Sequence, residues 1–341
     1  MKIFTAIMKY DYGDEKRGFS FEYYNVYLPL CDVYGKDNVL LFDYFSEFRN
    51  IGKEKMNRRL LEIIKAEKPD ASIFCLLWED QFDEEVVSSL RSYTRTVIYF
   101  FDDPWRQKFV RHWINYFDFF TTPDYYMFKQ YELEGLKNVI YSPFGYNSSI
   151  YKKLDLEKTL DVTFVGGCSP LRKWIVRSLE KEGIKVKVFG RGWGSAGKWI
   201  SQEEMVEVFN RSKINLNLSN AIYSNIKFLI WSLHSLESVK QLILLRKNKE
   251  QVKGRHYEIN ASGGFQLSYF IPGLNMAYEI DKEIAVYESV ENIVPIVKFF
   301  LKAEDLRNTI AESGYVRSVR DHSAQSYLNK TVDQVLKDKR N

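Results

Sequence analysis

Cysteine is scarce in this 341-residue chain: Cys31, Cys75 and Cys168 are odd in number, far apart and without a CxxC spacing. That pattern excludes a disulfide framework and a structural zinc, and free thiols in a reducing compartment are expected. The four histidines, His112, His234, His256 and His322, do not cluster and have no ligand-like partner at helical spacing. No metal site is therefore expected, and no Ser/His/Asp or Cys/His nucleophile is visible, which speaks against covalent hydrolase chemistry. Proline (8) and glycine (18) are too few for a disordered chain. The net charge of +4 is too small for a nucleic-acid binder, although it suits an anionic substrate or membrane surface. The longest apolar stretch, residues 222–245, is interrupted by Lys227, His234, Glu237 and Lys240, so it is not expected to span a bilayer. The start, MKIFTAIM, reads as a strand and not as a secretory leader, so a cytoplasmic protein is expected.

What the chain does have is apolar and aromatic substance: 45% apolar residues, with 23 Tyr and 24 Phe spread along its length. Those rings read mainly as core. At 341 residues the chain exceeds one ordinary core, and size favours two domains of about 150 residues each. Short apolar runs alternate with amphipathic stretches, the pattern of parallel βαβ units. Strands are expected at 3–8, 39–42, 72–77, 96–101, 117–121 and 139–142, with helices over 19–33 and 53–66. Polar residues follow most strands, notably Glu79-Asp80 and Asp102-Asp103-Pro104. In an open parallel sheet those ends share one edge, and ligands bind outside it.

The turn-rich passage PFGYNSSIYKKLDLEK breaks the periodicity before a new strand, 161–165, which runs into Gly166-Gly167. A boundary near residue 150 follows, giving domains 1–150 and 151–320 and a final helical segment 321–341. In the second half, helix 172–182, strand 186–189 ending in GRGWG, helix 202–211 and strand 214–218 repeat the logic, and Ser201 with Glu204 forms a capping box. A helical excursion over 223–248 follows, then a strand near 284–286 and helices at 290–301, 304–319 and 323–337. The excursion carries apolar residues at spacings of three and four followed by Arg246, Lys247 and Lys249. It fits an anionic membrane surface or a homodimer seam, with packing against its own domain the commoner use of such a stripe.

The segment KGRHYEINASGGFQL, Lys253 to Leu267, combines a basic pair, one carboxylate and a Gly-Gly turn. Arg255 stands one helical turn before Glu258, and small residues follow whose N–H groups are open to an anion. These groups suit a nucleoside diphosphate, while a buried turn with a surface ion pair is the plain alternative.

The elements DVTFVGG…R, VFGRGW, INLNLS, KGRHYEINASGGFQL and GYVRSVRDHS, in this order, resemble those of the spore-maturation (CgeB-like) glycosyltransferases, of the glycosyl transferases group 1 superfamily. The resemblance covers Asp161 to about Tyr327 and is looser in the first half, where KPDASIFCLLWED, VIYFFDDPW, FDFFTTPD and VIYSPFGYN fit. It implies an α/β protein of GT-B fold: two Rossmann-like doubly wound domains facing a cleft, acceptor side first and nucleotide-sugar side second, with the C-terminal helix crossing back to the first domain. By the same resemblance Glu258 would hold the ribose, since a carboxylate accepts from both hydroxyls. Arg255 and Lys253 would face the diphosphate, with Gly263 and Gly264 letting N–H groups close on it. Arg172, just past Gly167 at a helix start, is a second phosphate candidate, and Trp193 in GRGWG is a lid for the base. Glu250 precedes Glu258 with seven residues between, the spacing of the paired glutamates in many retaining members of that superfamily, but in the charged run RKNKEQVKGR it reads instead as a solvated face.

Glycosyl transfer needs charge stabilisation on the departing diphosphate and, with inversion, a base for the acceptor hydroxyl. Arg172, Lys253 and Arg255 can supply the first without a metal or other cofactor, and Asp102 and Asp103 are candidates for the second. The expected partners are a nucleotide-sugar donor and a glycan, lipid-linked or protein acceptor, the lipid-linked case placing the protein at the inner face of the membrane. A nucleotide-sugar epimerase of the same fold and a non-catalytic glycan- or nucleotide-binding protein of surface or spore-coat assembly are the alternatives.

Overall fold

The computed structural model describes residues 1–219, 226–236, 238–240 and 249–337. The chain divides into two compact units, Met1–Asn147 with Ser323–Asn341, and Ser148–His322. In the first unit six parallel strands stand in the order β2-β1-β3-β4-β5-β6: β1 (Ile3–Ile7), β2 (Val39–Asp43), β3 (Ala71–Phe74), β4 (Arg95–Ile98), β5 (Phe119–Thr122) and β6 (Val139–Tyr141). IFTAI, ASIF and FFTT are buried at every position, as parallel strands covered on both faces must be.

The helices of this unit are α1 (Leu28–Tyr34), preceded by a π-helical stretch Tyr23–Tyr27, then α2 (Tyr44–Glu67), α3 (Glu84–Leu90), α4 (Gln107–Trp113) and α5 (Tyr125–Leu133). Met56, Leu60 and Ile64 of α2 pack with Val87, Trp113 and Tyr131 against one core that includes Phe4, Phe74 and Phe120. The spacing predicts α2 only from residue 53, whereas it begins at Tyr44. Asp43 caps it by accepting from the Ser46 N–H at 3.3 Å, and Gly52, at φ 78°, kinks it where the sequence pattern starts.

The second unit holds five parallel strands in the order β11-β10-β9-β7-β8. Along the chain its elements are β7 (Leu160–Val165), α6 (Pro170–Lys181), β8 (Val186–Phe189), α7 (Gln202–Arg211), β9 (Ser212–Asn217), α8 (Ile226–Ser232), α9 (Gly254–Ala261), β10 (Gln266–Tyr269), α10 (Leu274–Ala277), β11 (Ala285–Tyr287), α11 (Val290–Lys302) and α12 (Glu304–Asp321). The Ser201–Glu204 capping box forms as expected, each side chain bonding the other's backbone N–H at 2.8 and 3.1 Å. Of the helix expected over 223–248, α8 is described and ends at Ser232, while 220–225, 237 and 241–248 lie outside the described residues. The last helix, α13 (Ala324–Lys337), belongs to the first unit and buries Leu328, Val332 and Val335 with Val26, Leu30, Ile73 and Val97 on the face of the sheet opposite α2.

In each sheet one strand is flanked by the two that follow it in sequence, β1 by β2 and β3, and β7 by β8 and β9. The connections leaving that point diverge and open a crevice at the carboxyl edge, the usual ligand position in such sheets.

Candidate active site

In the second unit the crevice lies between the ends of β7 and β9. Beyond β7 come Gly166 and Gly167, then Ser169, whose side chain accepts from the Arg172 N–H at 3.3 Å and starts α6. Arg172 turns back across the crevice. Its Nη1 donates to Gly167 O at 2.8 Å, while Nε and Nη2 donate to Leu218 O at 3.2 and 3.0 Å. One guanidinium therefore ties together the loops after β7 and β9. Its flat face covers the Phe164 ring, with 5.1 Å to the centroid. Burial pulls its pKa down to about 10, opposed by the Glu250 carboxylate, so it keeps its charge near neutrality.

Glu250 does not lie on a solvated face. It is half-buried, and its Oε1 accepts from the Ser219 hydroxyl after β9. Tyr287, at the end of β11, is 1% exposed, and its phenol lies against the Ser219 backbone. Burial, and then Glu250, hold that phenol above its usual range, while Arg172 acts against both.

Beside this cluster α9 presents its N-terminal turn. Lys253 precedes the helix, and its N–H donates to His256 Nδ1 at 3.0 Å. Arg255 Nη1 lies 2.5 Å from Glu258 Oε2, and the guanidinium sits 5.3 Å from the Phe209 ring centroid on α7. The pair is not on the surface, because the Glu258 side chain is only 4% exposed. Tyr151 is packed against it, its phenol raised by burial first and by Glu258 second, and its hydroxyl donates to Gln202 Oε1 at 2.9 Å.

Other expected residues are placed differently. Trp193 donates its indole N–H to Gly166 O at 2.9 Å and packs at a steep angle on Phe164, so it braces the loop after β7. Gly263 and Gly264 close the far end of α9, about 12 Å from Lys253 by helix rise. Gly263 adopts φ +68°, and a Cβ on Gly264 would meet Asn215 Nδ2 at 2.7 Å and Phe209 O at 3.0 Å. These glycines turn the chain from α9 into β10 at the amino edge of the sheet; the crevice with Arg172 and Glu250 is at the carboxyl edge.

In the first unit Asp102 and Asp103 follow β4. Asp102 Oδ1 accepts from Trp105 Nε1 at 3.2 Å. Asp103 points inward and is 1% exposed, with Oδ2 accepting from the Tyr131 hydroxyl at 3.2 Å. Burial pushes its pKa up to about 7, against the Thr122 and Tyr131 hydrogen bonds that lower it.

Comparison with known proteins gives this arrangement a class. A glycosyl transferase-like family model matches residues 172–333. The chain shares its fold with Anabaena HepE solved in complex with UDP and glucose, at TM-score 0.67 and 9% identity over 98% of this chain and 99% of that one. A glycosyltransferase from Rickettsia africae superposes at 0.64 with 10% identity over 99% of both chains. AviGT4, a glycosyltransferase involved in avilamycin A biosynthesis, superposes at 0.59 with 10% identity over 98% and 97%. The chain has the GT-B fold of these proteins, and its second half is similar to the glycosyl transferase-like family. No curated protein matches it in sequence.

Within this fold, sequence reasoning singled out Arg172, Gly167 and Arg255, and the structure gathers them at one edge of the second sheet. It set Glu250 aside and passed over Tyr287. Glu250 carried one signal, its spacing to Glu258, and is held by Ser219, 31 residues away; Tyr287 is placed only by the strand order.

Proposed function

We propose that this chain is a glycosyltransferase, which takes its sugar from a nucleoside-diphosphate sugar and delivers it to a hydroxyl acceptor. The observation that carries this reading is the Arg172 guanidinium spanning the β7/β9 crevice between Gly167 O and Leu218 O, with Glu250 beside it. A diphosphate at this edge meets Arg172 and the N-terminal turn of α6, and Arg255 turns to it from Glu258. Glu258, freed from that pair, accepts from the ribose hydroxyls. The two guanidiniums take up the charge of the leaving group without a metal. HepE, solved with UDP and with UDP-glucose, supports a nucleotide donor of this kind. Motif order supports a place in the CgeB-like branch. The acceptor is a glycan, lipid-linked or protein hydroxyl, and for a lipid-linked one the exposed Leu229, Ile230, Leu233 and Leu236 support a peripheral membrane contact. Among the described residues no helix is long and apolar enough to cross a membrane.

Calorimetric titration of UDP, with and without EDTA, tests the donor site. Wild type is expected to bind equally in both, and Glu258→Ala to bind more weakly by about 1.5–3 kcal/mol, a charge-assisted pair being lost. Unchanged affinity in the variant removes Glu258 from the site. Turnover of UDP-glucose without any acceptor to a rearranged sugar would mark an epimerase, and binding of UDP with no turnover of any donor would mark a binding protein.

A further inference from the structure

The amino edge of the second sheet, opposite the Arg172 crevice, carries a cavity of its own. Lys158 lies just before β7, Lys213 is the second residue of β9, and Gly263 leads into β10, so the three meet at that edge. One face of α12, from Glu304 through Arg307 and Asn308 to Ala311 and Glu312, stands beside them, and together they line about 270 Å³ of space.

Arg307 lines this cavity although it is only 4% exposed. Its Nη1 donates to Phe300 O and to Leu301 O, the latter at 3.2 Å, which closes the end of α11 and fixes the guanidinium. Among the described residues Nε and Nη2 have no acceptor, and no carboxylate forms an ion pair with the group. Burial works against its charge, with Glu304 and then Asp161 acting the other way. A guanidinium keeps its proton at neutral pH, so an enclosed one with two nitrogens open is a receptor for an anion. Lys158 likewise has no hydrogen bond or ion pair among the described residues. The protein around it first, and then Arg307 and Lys153, pull its pKa down to about 8, so these cations crowd one another.

Most of the other charges are already matched. Lys153 pairs with Glu312 at 2.5 Å and Lys213 with Asp161 at 2.7 Å. That leaves Arg307 and Lys158 against Asp155 and Glu304 on the lining. Both carboxylates are exposed and can turn to water, whereas Arg307 is fixed by its carbonyl bonds. Helix α12 adds its positive end, because Ala303 at the N-cap has no side chain to occupy the first N–H groups. Asp305, in the same turn, does not line the cavity.

Two cations, one of them a planar fork, beside an uncapped helix start are the equipment of a phosphate site. The volume lies just under the roughly 300–1,000 Å³ of small-molecule pockets, which suits a phosphate ion or a small monoester and not a nucleotide.

We infer that this cavity binds a phosphate group, free or as a small monoester, between the Arg307 guanidinium and the Lys158 ammonium. It is separate from the crevice of Arg172 and Glu250 and does not rest on the glycosyl-transfer reading. A ligand there ties the chain entering β7 to α12 and so stabilises the second unit.

Calorimetric titration of the full chain at low ionic strength with inorganic phosphate and, separately, glycerol 3-phosphate tests the site, with melting followed in the same solutions. Wild type should bind at least one of the two and melt higher in its presence. Arg307→Gln should weaken that binding at least about tenfold, a charge-assisted contact being lost, and Lys158→Ala about threefold. Without phosphate Lys158→Ala should melt no lower than wild type, because repulsion is relieved, so weaker binding in this variant is not a loss of fold. Arg172→Ala should leave phosphate binding unchanged. Tighter inorganic phosphate would mark a free-anion site and tighter glycerol 3-phosphate a monoester site, and either supports the inference. No binding of either probe, wild-type affinity in both Lys158→Ala and Arg307→Gln, or loss of phosphate binding in Arg172→Ala alone overturns it.

Discussion

Asp103 shows what one enclosed carboxyl does to the whole. Its pKa rises from 3.8 to about 7 on folding because burial outweighs the Thr122 and Tyr131 hydrogen bonds. The folded state therefore keeps a proton that the unfolded chain has lost, and Asp103 withdraws stability as pH climbs through that interval. Glu22 acts in the same direction, pushed from 4.5 to about 7 by burial. His322 acts oppositely: burial lowers it from 6.5 to about 4, so its contribution is present above 6.5 and is lost as pH falls toward 4. Asp103→Asn, which keeps shape and acceptor, isolates one term. Its melting temperature should exceed that of wild type by a margin that widens from pH 4 to pH 8; a margin constant with pH would reject the assignment. At this scale the sequence was a partial guide. A glycine pair before a helix start made Gly167 and Arg172 legible. Glu250 is held by Ser219, 31 residues away in the chain, and only its spacing to Glu258 marks it in the sequence.

Loops rather than helices set the carboxyl edge of the second sheet, and Gly190 controls how two of them meet. It adopts φ +127°, and a Cβ there would stand 2.4 Å from Gly166 O. Gly183 also has positive φ, +80°, but nothing lies within 4 Å of its missing Cβ. Gly190→Ala should thus cost at least about 1–3 kcal/mol for backbone strain, and more than Gly183→Ala, because the loop after β7 must move as well. Urea unfolding compares the two, and UDP affinity should fall only in the first. Equal costs would mean that the Gly166 contact is not limiting. Elements were readable where the helix was long or capped, or where a mostly apolar strand ran into a glycine turn, as in α12, α7 and β7. Helices α3, α4 and α5, of 7 to 9 residues, were too short for their period to register beside the polar strand ends. The first turns of α2 were hidden because Gly52 breaks the apolar stripe.

On the scale of the molecule, the first unit is discontinuous. Its sheet is covered on one face by α1 and by α13, which adds Leu328, Val332 and Val335 to the core. Polar contacts fix the same helix: the Thr331 hydroxyl donates to Ser142 Oγ at 3.0 Å, Gln325 to Asp32 at 2.8 Å and Tyr34 to Asn329 at 2.8 Å. Truncation after His322 should therefore melt the first unit while Ser148–His322 keeps its fold, read as loss of one of two calorimetric transitions and as selective proteolysis before residue 147. Two intact transitions in the truncated chain would show that α13 is dispensable.

The placement of α13 also orders events on the ribosome. Residues 148–322 are all translated before α13, so the later half of the nascent chain has what it needs first. The opening half, although made earliest, carries an uncovered apolar sheet face until residue 337 emerges, 190 residues after Asn147 (337 − 147). At about 5–20 residues per second that interval is roughly 10–40 s, long enough for a chaperone to occupy the face that the last helix later takes.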